Sequence, residues 1–212
     1  MAPRIEQGVI FLTNLIRLNS RRKTSMPTKT VKPVPTVTGR RVYLRPFVRS
    51  DAAAMIRLTN QSARRYPGIM RRFKSNAQFE EFRKSYDGES AFGFMICRRE
   101  DGEPVGSIGL FHIVRRNTKT AFVGYSIGAP HMRQGYATEA LQLMLKFAFR
   151  KLRLHRVEAS IQPHNAPSIA TVKRAGFIYE GCSRRLVKIA GQWRDHERWS
   201  ILADEWSGRH RQ

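Results

Sequence analysis

Within residues 132–140 a turn that contains small residues leads directly into the most strongly helical segment of the chain, and this junction restricts the fold more than any other feature. The turn contains Gly135 and Ala137, and the apolar residues after it, which recur at helical spacing, are Ala140, Leu141, Met144, Leu145 and Ala148. They predict a helix from Thr138 with one buried face. Unpaired N–H groups and the positive dipole end at the start of such a helix attract anions, and small residues let a ligand approach the backbone. The junction therefore indicates a phosphate site, although these residues alone also fit an ordinary helix start.

The charge of the chain is far from balanced. Its 212 residues include 39 Lys and Arg against 16 Asp and Glu, which gives a formal net charge of +23. Such a charge indicates attraction to a polyanion, such as RNA, DNA or an anionic membrane face. Each arginine pair along the chain, taken singly, fits a solvated basic surface as well.

The composition predicts one globular domain between two basic ends. Residues 1–39 read as a basic N-terminal extension, 40–206 as the domain, and 207–212 as a basic tail. The apolar run at 9–16 is too short to span a membrane, so we expect no membrane partner. An organelle transit peptide, or a true start at Met26, stays open for the extension. The two cysteines show no metal-ligand spacing and suit a reducing compartment, which favours a cytoplasmic location and no metal.

Strand-like and helix-like segments follow one another in a definite order. A strand at 41–45 precedes two short helices, for which Ser50 and Asn76 are the expected N-caps. Three strands at 92–97, 105–114 and 121–127 come next, followed by the long helix, a strand at 155–161, and a helix capped by Asn165 and ended by Gly176. A final hairpin pairs 180–189 with 193–202 through Ala190-Gly191.

Three local motifs, in this order of elements, resemble the GNAT superfamily of acyl-CoA N-acyltransferases over residues 40–206. The first is the turn at 132–137, similar to the family loop Q/R-x-x-G-x-G/A, with Met132 in the place of Gln or Arg. The second is Asn165-Ala166-Pro167-Ser168 with the later Gly176-Phe177 and Glu180-Gly181. The third, at 191–196, is similar to the C-terminal hairpin of RimJ/RimL-like ribosomal-protein alanine N-acetyltransferases. The resemblance implies an α+β fold, a single domain whose mixed, mostly antiparallel central sheet of about seven strands is flanked by four helices.

The resemblance also implies that acetyl-CoA is the acetyl donor and that backbone amides of the turn hold its pyrophosphate. The residues this assigns to acetyl-CoA binding in the turn are Met132, Arg133, Gln134, Gly135, Tyr136, Ala137 and Thr138. Family members splay the preceding strand and leave a backbone N–H free to polarise the thioester carbonyl, which places that donor near Ile127. Asn165 would bond the pantetheine arm. Ser168 would lie near the sulfur and protonate the departing thiolate. Read without the resemblance, Asn165 is an ordinary N-cap and Ser168 an exposed hydroxyl in a first helical turn.

The general base is the least defined group. The strand after Glu180-Gly181 carries no carboxylate at 184–187, so Glu158 is the nearest remaining acid and our predicted catalytic carboxylate. A structural ion pair with an arginine fits Glu158 equally well. Tyr125, His164 and His196 are further options, and deprotonation through ordered water without a dedicated base also fits.

The net charge also bears on the acceptor. Polyamines and aminoglycosides are polycations that a basic enzyme repels during encounter. A protein N-terminus presented on a ribosome or other RNA assembly fits better, because phosphates would hold the enzyme near its target. The sequence therefore predicts N-α-acetylation of a ribosomal or similar protein. The alternatives are acetylation of a small-molecule amine and a non-catalytic RNA-binding module on the same fold.

Overall fold

The computed structural model describes residues 34–65 and 72–209. The described strands are β1 (Val37–Thr38), β2 (Val42–Pro46), β3 (Phe92–Arg98), β4 (Pro104–Val114), β5 (Thr120–Ile127), β6 (Arg156–Ile161), β7 (Ile178–Ile189) and β8 (Gln192–Leu202). The described α-helices are α1 (Ala52–Arg65), α2 (Asn76–Lys84), α3 (Tyr136–Lys146), α4 (Ala166–Ala175) and α5 (Ala203–Arg209). Short 3-10 turns cover Arg49–Asp51 and Ala129–His131, and a π-helical turn at Phe147–Lys151 ends α3.

The strands form a single sheet of order β1-β2-β3-β4-β5-β6-β8-β7. Every neighbouring pair is antiparallel except β5 and β6, which run parallel. Parallel strands need a crossover connection, and here that connection contains α3. The crossover therefore places the start of α3 beside the end of β5.

Helices cover both faces of the sheet because successive strand residues point to opposite sides. On β3, Phe94 and Ile96 pack into the core beneath α3 and α4, whereas Met95 and Cys97 pack into a separate cluster with α1 and α2. The second cluster is rich in phenylalanine, and Phe79 is fully buried within it. The sheet is therefore packed on both faces, and this packing holds the end of β5 and the start of α3 in place.

The predicted fold class is confirmed, and the sheet has eight described strands rather than about seven. The additional strand, β1, lies inside the segment predicted as the N-terminal extension, where Val37 pairs with Leu44. A fifth helix, α5, crosses the boundary predicted at residue 206. Most of the N-terminal extension and the last residues of the tail lie outside the described residues, so both domain boundaries stay predictions.

Both predicted N-caps before α1 and α2 are wrong by one or two positions. Ser50 lies within a 3-10 turn, and the carboxylate of Asp51 accepts the N–H of Val48 at 2.8 Å instead. Asn76 is the first residue of α2, and the cap is Ser75, whose side chain accepts from Gln78. Neighbouring Ser, Asn and Asp are all good caps, so sequence alone selects poorly between adjacent positions. The predicted cap of α4 by Asn165 is confirmed, as is its end at Gly176.

Candidate active site

A cavity of about 1030 Å³ opens where β5 and β6 cease to pair. Pairing between the two strands covers Thr120–Phe122 opposite Arg156–Glu158 and no later described position of β5. Three elements line the cavity: the end of β5 at Tyr125 and Ile127, residues between Ala129 and Glu139, and α4 residues between Pro167 and Arg174. The parallel pair therefore opens into a space that the start of α3 faces.

The turn before α3 directs backbone N–H groups towards this space. Gly135 is the N-cap of α3 and has a φ of 80°, in the left-handed region that glycine adopts without strain. The first bond within the helix runs from the N–H of Glu139 to the carbonyl of Gly135, at 3.2 Å. The N–H groups of Tyr136, Ala137 and Thr138, at the start of the helix, precede this first bond, so they can bind an anion together with the helix dipole.

Most of the residues predicted to hold the pyrophosphate border the cavity. Those that line it are Met132, Arg133, Gly135, Tyr136, Ala137 and Thr138. Gln134 does not line it: its side-chain amide donates to the carbonyl of Pro130 at 3.2 Å. The apolar side chain of Met132 packs against the core and offers no hydrogen bond to a phosphate. At this position the turn can therefore bind phosphate only through its backbone amides.

No sequence motif pointed to Arg41, which lies against the turn from outside. Its Nη2 donates to the carbonyl of Gln134 at 2.5 Å, and its guanidinium carbon lies 4.9 Å from the centre of the Tyr136 ring. The carboxylate of Glu139 accepts the backbone N–H of Arg41 at 2.7 Å and that of Val42 at 3.3 Å. Glu139 thus ties β2 to the first turn of α3, and Arg41 holds the turn in place.

We expect Arg41→Ala to weaken acetyl-CoA binding roughly tenfold, because a hydrogen bond from a charged donor to the turn contributes about 1.5–3 kcal/mol. Isothermal titration with acetyl-CoA would measure the dissociation constant. Arg40→Ala is the matched control, since it removes the same charge from an exposed neighbouring position. Equal losses in the two variants would mean that Arg41 acts only through its charge.

The backbone of β5 presents Ile127 to the gap between the parallel strands. The N–H of Gly128 donates to the carbonyl of Val105 on β4 at 2.8 Å. Alternate N–H groups of an antiparallel strand point to opposite neighbours, so the N–H of Ile127 points away from β4. No described residue of β6 pairs with Ile127. Its N–H is therefore directed as the predicted thioester-polarising donor requires.

Ser168 lies on the cavity wall with a hydroxyl that has no hydrogen-bond partner among the described residues. The residue is 2% exposed, and its Oγ atom is buried. A buried polar atom without a partner costs free energy, and in native structures it often marks a functional position. Asn165 caps α4 by accepting the backbone N–H of Ser168 at 3.3 Å and does not line the cavity. The cap fixes where Ser168 sits, while a contact from Asn165 to the pantetheine arm stays a prediction.

Tyr125 is buried between β5 and α4. Its hydroxyl donates to the carbonyl of Ser168 at 3.4 Å, and burial raises the pKa of the phenol above its ordinary value. The hydroxyl is therefore protonated at neutral pH and is unsuited to act as a base.

Glu158 lies outside the cavity wall, at the paired end of β6. Its carboxylate accepts from Arg156 at 3.2 Å, from Arg198, and from the hydroxyl of Thr120 at 3.4 Å. The contacts with Arg156 and Arg198 are ion pairs of the structural kind that the sequence offered as the alternative to catalysis. Its catalytic role stays a prediction.

The two histidines considered as bases differ in their surroundings. His164 is exposed, whereas His196 is fully buried and shares a 3.1 Å hydrogen bond with the carbonyl of Arg194. Burial lowers the pKa of the His196 imidazole below its ordinary value. The ring is neutral in the folded protein at neutral pH and does not line the cavity.

The lowered pKa of His196 makes stability depend on pH. In the unfolded chain the imidazole binds a proton near its ordinary pKa of 6.5, whereas in the folded chain it binds one only at lower pH. The contribution to stability is present above pH 6.5, and we expect the free energy of unfolding to fall as the pH drops from 7.5 to 5.5. Urea unfolding at both pH values would measure it. We expect His196→Gln to flatten the dependence and His164→Gln, at the exposed position, to preserve it.

With this geometry established, the class of the protein follows from comparison with known sequences. Residues 41–178 match the family described as Acetyltransferase (GNAT) domain, and the chain belongs to that family. It is an N-acetyltransferase. A probable N-acetyltransferase of Bacillus subtilis, YjcK, is 34% identical over 175 residues, which are 77% of this chain and 95% of that protein. None of the described helices has the length and apolar character needed to cross a membrane.

Two further relatives connect the chain to ribosomal-protein acetyltransferases. The [Ribosomal protein uS5]-alanine N-acetyltransferase of Escherichia coli is 32% identical over 118 residues, which cover 56% of this chain and 61% of that enzyme. The structure of Mycobacterium smegmatis RimJ in complex with CoA-disulfide superimposes with a TM-score of 0.69 at 26% identity, over 80% of this chain and 90% of that one. The predicted RimJ/RimL-like grouping is thus confirmed.

Proposed function

We propose that this protein transfers the acetyl group of acetyl-CoA to the N-terminal α-amine of a ribosomal or other protein, by direct attack in a ternary complex. The observation that carries the proposal is one shared cavity. The turn before α3 with its backbone amides, the end of β5 at Ile127 and the α4 residue Ser168 all border it. A phosphate-binding turn, a carbonyl-polarising donor and a proton donor are what acyl transfer from a thioester to an amine requires.

Each group has one role in the proposed reaction. The amine nitrogen attacks the thioester carbonyl carbon, and the N–H of Ile127 stabilises the negative charge that develops on the carbonyl oxygen. The carbon–sulfur bond then breaks, Ser168 supplies a proton to the thiolate, and the serine oxygen regains a proton from water that carries the one lost by the amine. The attacking amine loses a proton to ordered water, which can pass it on to Glu158, because that carboxylate lies outside the cavity wall and is paired with Arg156 and Arg198.

The charges around the cavity support a phosphate-bearing donor and an acceptor that is not a polycation. Arg133 and Arg174 line it, and the acid among its lining residues, Glu139, is hydrogen-bonded to the backbone N–H groups of Arg41 and Val42. A polyamine would find no uncommitted carboxylate among the described residues of this lining. A protein N-terminus carried by an RNA assembly fits both this lining and the net charge of +23. We infer association with the ribosome and a cytoplasmic location on the same grounds.

Release of CoA thiol from acetyl-CoA over a panel of N-terminal peptides tests the proposal. Each peptide is paired with its N-formylated form, which offers the same side chains without a free α-amine. We expect release with the free peptides and none with the blocked ones. Normal acetyl-CoA binding without release on any peptide would overturn the assignment, and faster turnover of small amines in competition would redirect it to them.

A further inference from the structure

The hairpin of β7 and β8 extends past the rest of the sheet. Pairing between β6 and β8 ends at Ile161 opposite Glu197, whereas β7 and β8 continue to pair as far as Ile189 opposite Gln192. Residues 184–195, named the distal hairpin, therefore project beyond the end of β6. A projecting two-stranded ribbon offers both of its faces to a partner.

The distal hairpin is basic and mostly exposed. It carries four basic residues and one acid, Asp195. The basic residues, all exposed, are Arg184, Arg185, Lys188 and Arg194. The carboxylate of Asp195 accepts the backbone N–H of Arg185 at 2.7 Å, which supports the left-handed conformation of Arg185 at a φ of 49°. The acid thus maintains the shape of the ribbon and leaves an excess of positive charge on it.

An exposed tryptophan lies among these charges. Trp193 is 59% exposed, whereas Trp199 and Trp206 are 5% and 4% exposed. Trp193 is directly opposite Lys188 in the β7–β8 register, so both side chains are on the same face of the ribbon. A large aromatic surface held in water beside cations suits stacking on a base with neutralisation of the flanking phosphates.

The distal hairpin lies at the end of the sheet that carries the candidate active site. Glu197, beside its base, is opposite Ile161, and Asn165 and Ser168 follow Ile161 along the chain. A polyanion bound to the ribbon would therefore lie near the site of acetyl transfer.

We propose that the distal hairpin binds single-stranded RNA, with the indole of Trp193 stacked on a base and the basic residues against the phosphates. This inference rests on the proposed function, because RNA binding by the hairpin would serve to hold an RNA-borne acceptor beside Ser168. An acidic protein surface would use the charges, but only in RNA does a base that can stack on the indole accompany every phosphate, so RNA fits the combination better.

Two measurements with a 5′-fluorescein-labelled oligouridine 12-mer test the proposal in the full-length protein. Anisotropy gives the dissociation constant at several salt concentrations, and tryptophan emission, with unlabelled RNA, reports stacking on the exposed indole. We expect RNA to quench wild-type emission and Trp193→Ala to remove the quenching and weaken binding at least about fivefold. The double variant Lys188→Ala/Arg194→Ala should lower the slope of log affinity against log salt by roughly 1.4.

The matched control is Arg115→Ala/Arg116→Ala, which removes the same charge from the exposed turn before β5, at the other end of that strand from Ile127. We expect this control to retain the quenching. The proposal would be overturned by an absence of RNA binding, or by unchanged affinity and quenching in Trp193→Ala. It would also be overturned if a poly-glutamate peptide competed with the RNA equally well and its own binding depended equally on Trp193. Peptide acetylation is measured separately, without RNA. If no peptide is acetylated, the proposed function fails, but the RNA-binding measurements still test the distal hairpin.

Discussion

Replacement of Gly135 by valine is expected to raise the dissociation constant for acetyl-CoA at least about tenfold. Gly135 has a φ of 80°, and a side chain in the left-handed region costs about 1–2 kcal/mol, more for a β-branched residue. Space is not the obstacle, because a Cβ there would lie 3.4 Å from Nη1 of Arg41, an ordinary contact. The strain should instead rotate the backbone and turn the amides away from the phosphate. Titration calorimetry with acetyl-CoA would measure the change.

Two variants separate the loss of amide orientation from a general loss of stability. Gly191→Val introduces the same strain at a φ of 83° in the β7–β8 turn, where no described atom lies within 4 Å of the added Cβ. We expect it to lower the thermal midpoint without changing acetyl-CoA affinity. Gly135→Asn, whose side chain tolerates the left-handed region, should recover much of the binding. An unchanged affinity in Gly135→Val would remove this turn from the site.

Local patterns in the sequence were sufficient for most of the fold. The helix from Tyr136 and the hairpin turn at 190–191 depend on side-chain periodicity and turn chemistry within a few residues. Element ends were less certain, as the wrong caps at Ser50 and Asn76 show, because adjacent polar residues compete for the same backbone N–H groups. The strand β1 has two residues and exists through its pairing with β2, which no local pattern indicates.

The candidate site was only partly predictable, because some of its contacts join distant parts of the chain. Arg41 and Gln134 are 93 positions apart, so only the folded sheet brings the guanidinium against the turn. The environment of Glu158 depends on Arg198, 40 positions away on β8. By contrast, Ser168 stands three residues after its cap Asn165, and a spacing of that kind can be seen in the sequence.

Substitution of Ser168 by alanine should separate activity from stability. The Oγ atom of Ser168 is buried without a partner among the described residues, so its removal should leave the thermal midpoint unchanged or slightly higher. If the hydroxyl protonates the thiolate, kcat should fall roughly a hundredfold while acetyl-CoA affinity changes little. Steady-state release of CoA thiol with a free N-terminal peptide measures kcat, and titration measures affinity.

Ser160 provides the matched control for this variant. Its Oγ atom is likewise buried without a partner among the described residues, but it is on β6 and does not line the cavity. Ser160→Ala should therefore leave kcat unchanged and alter stability as little as Ser168→Ala does. A similar fall in kcat for both variants would mean that small shifts in packing, rather than proton donation, limit the rate. Full activity of Ser168→Ala would require the thiolate to be protonated by another donor, and the phenol of Tyr125, which burial keeps protonated, is the next group on the same wall.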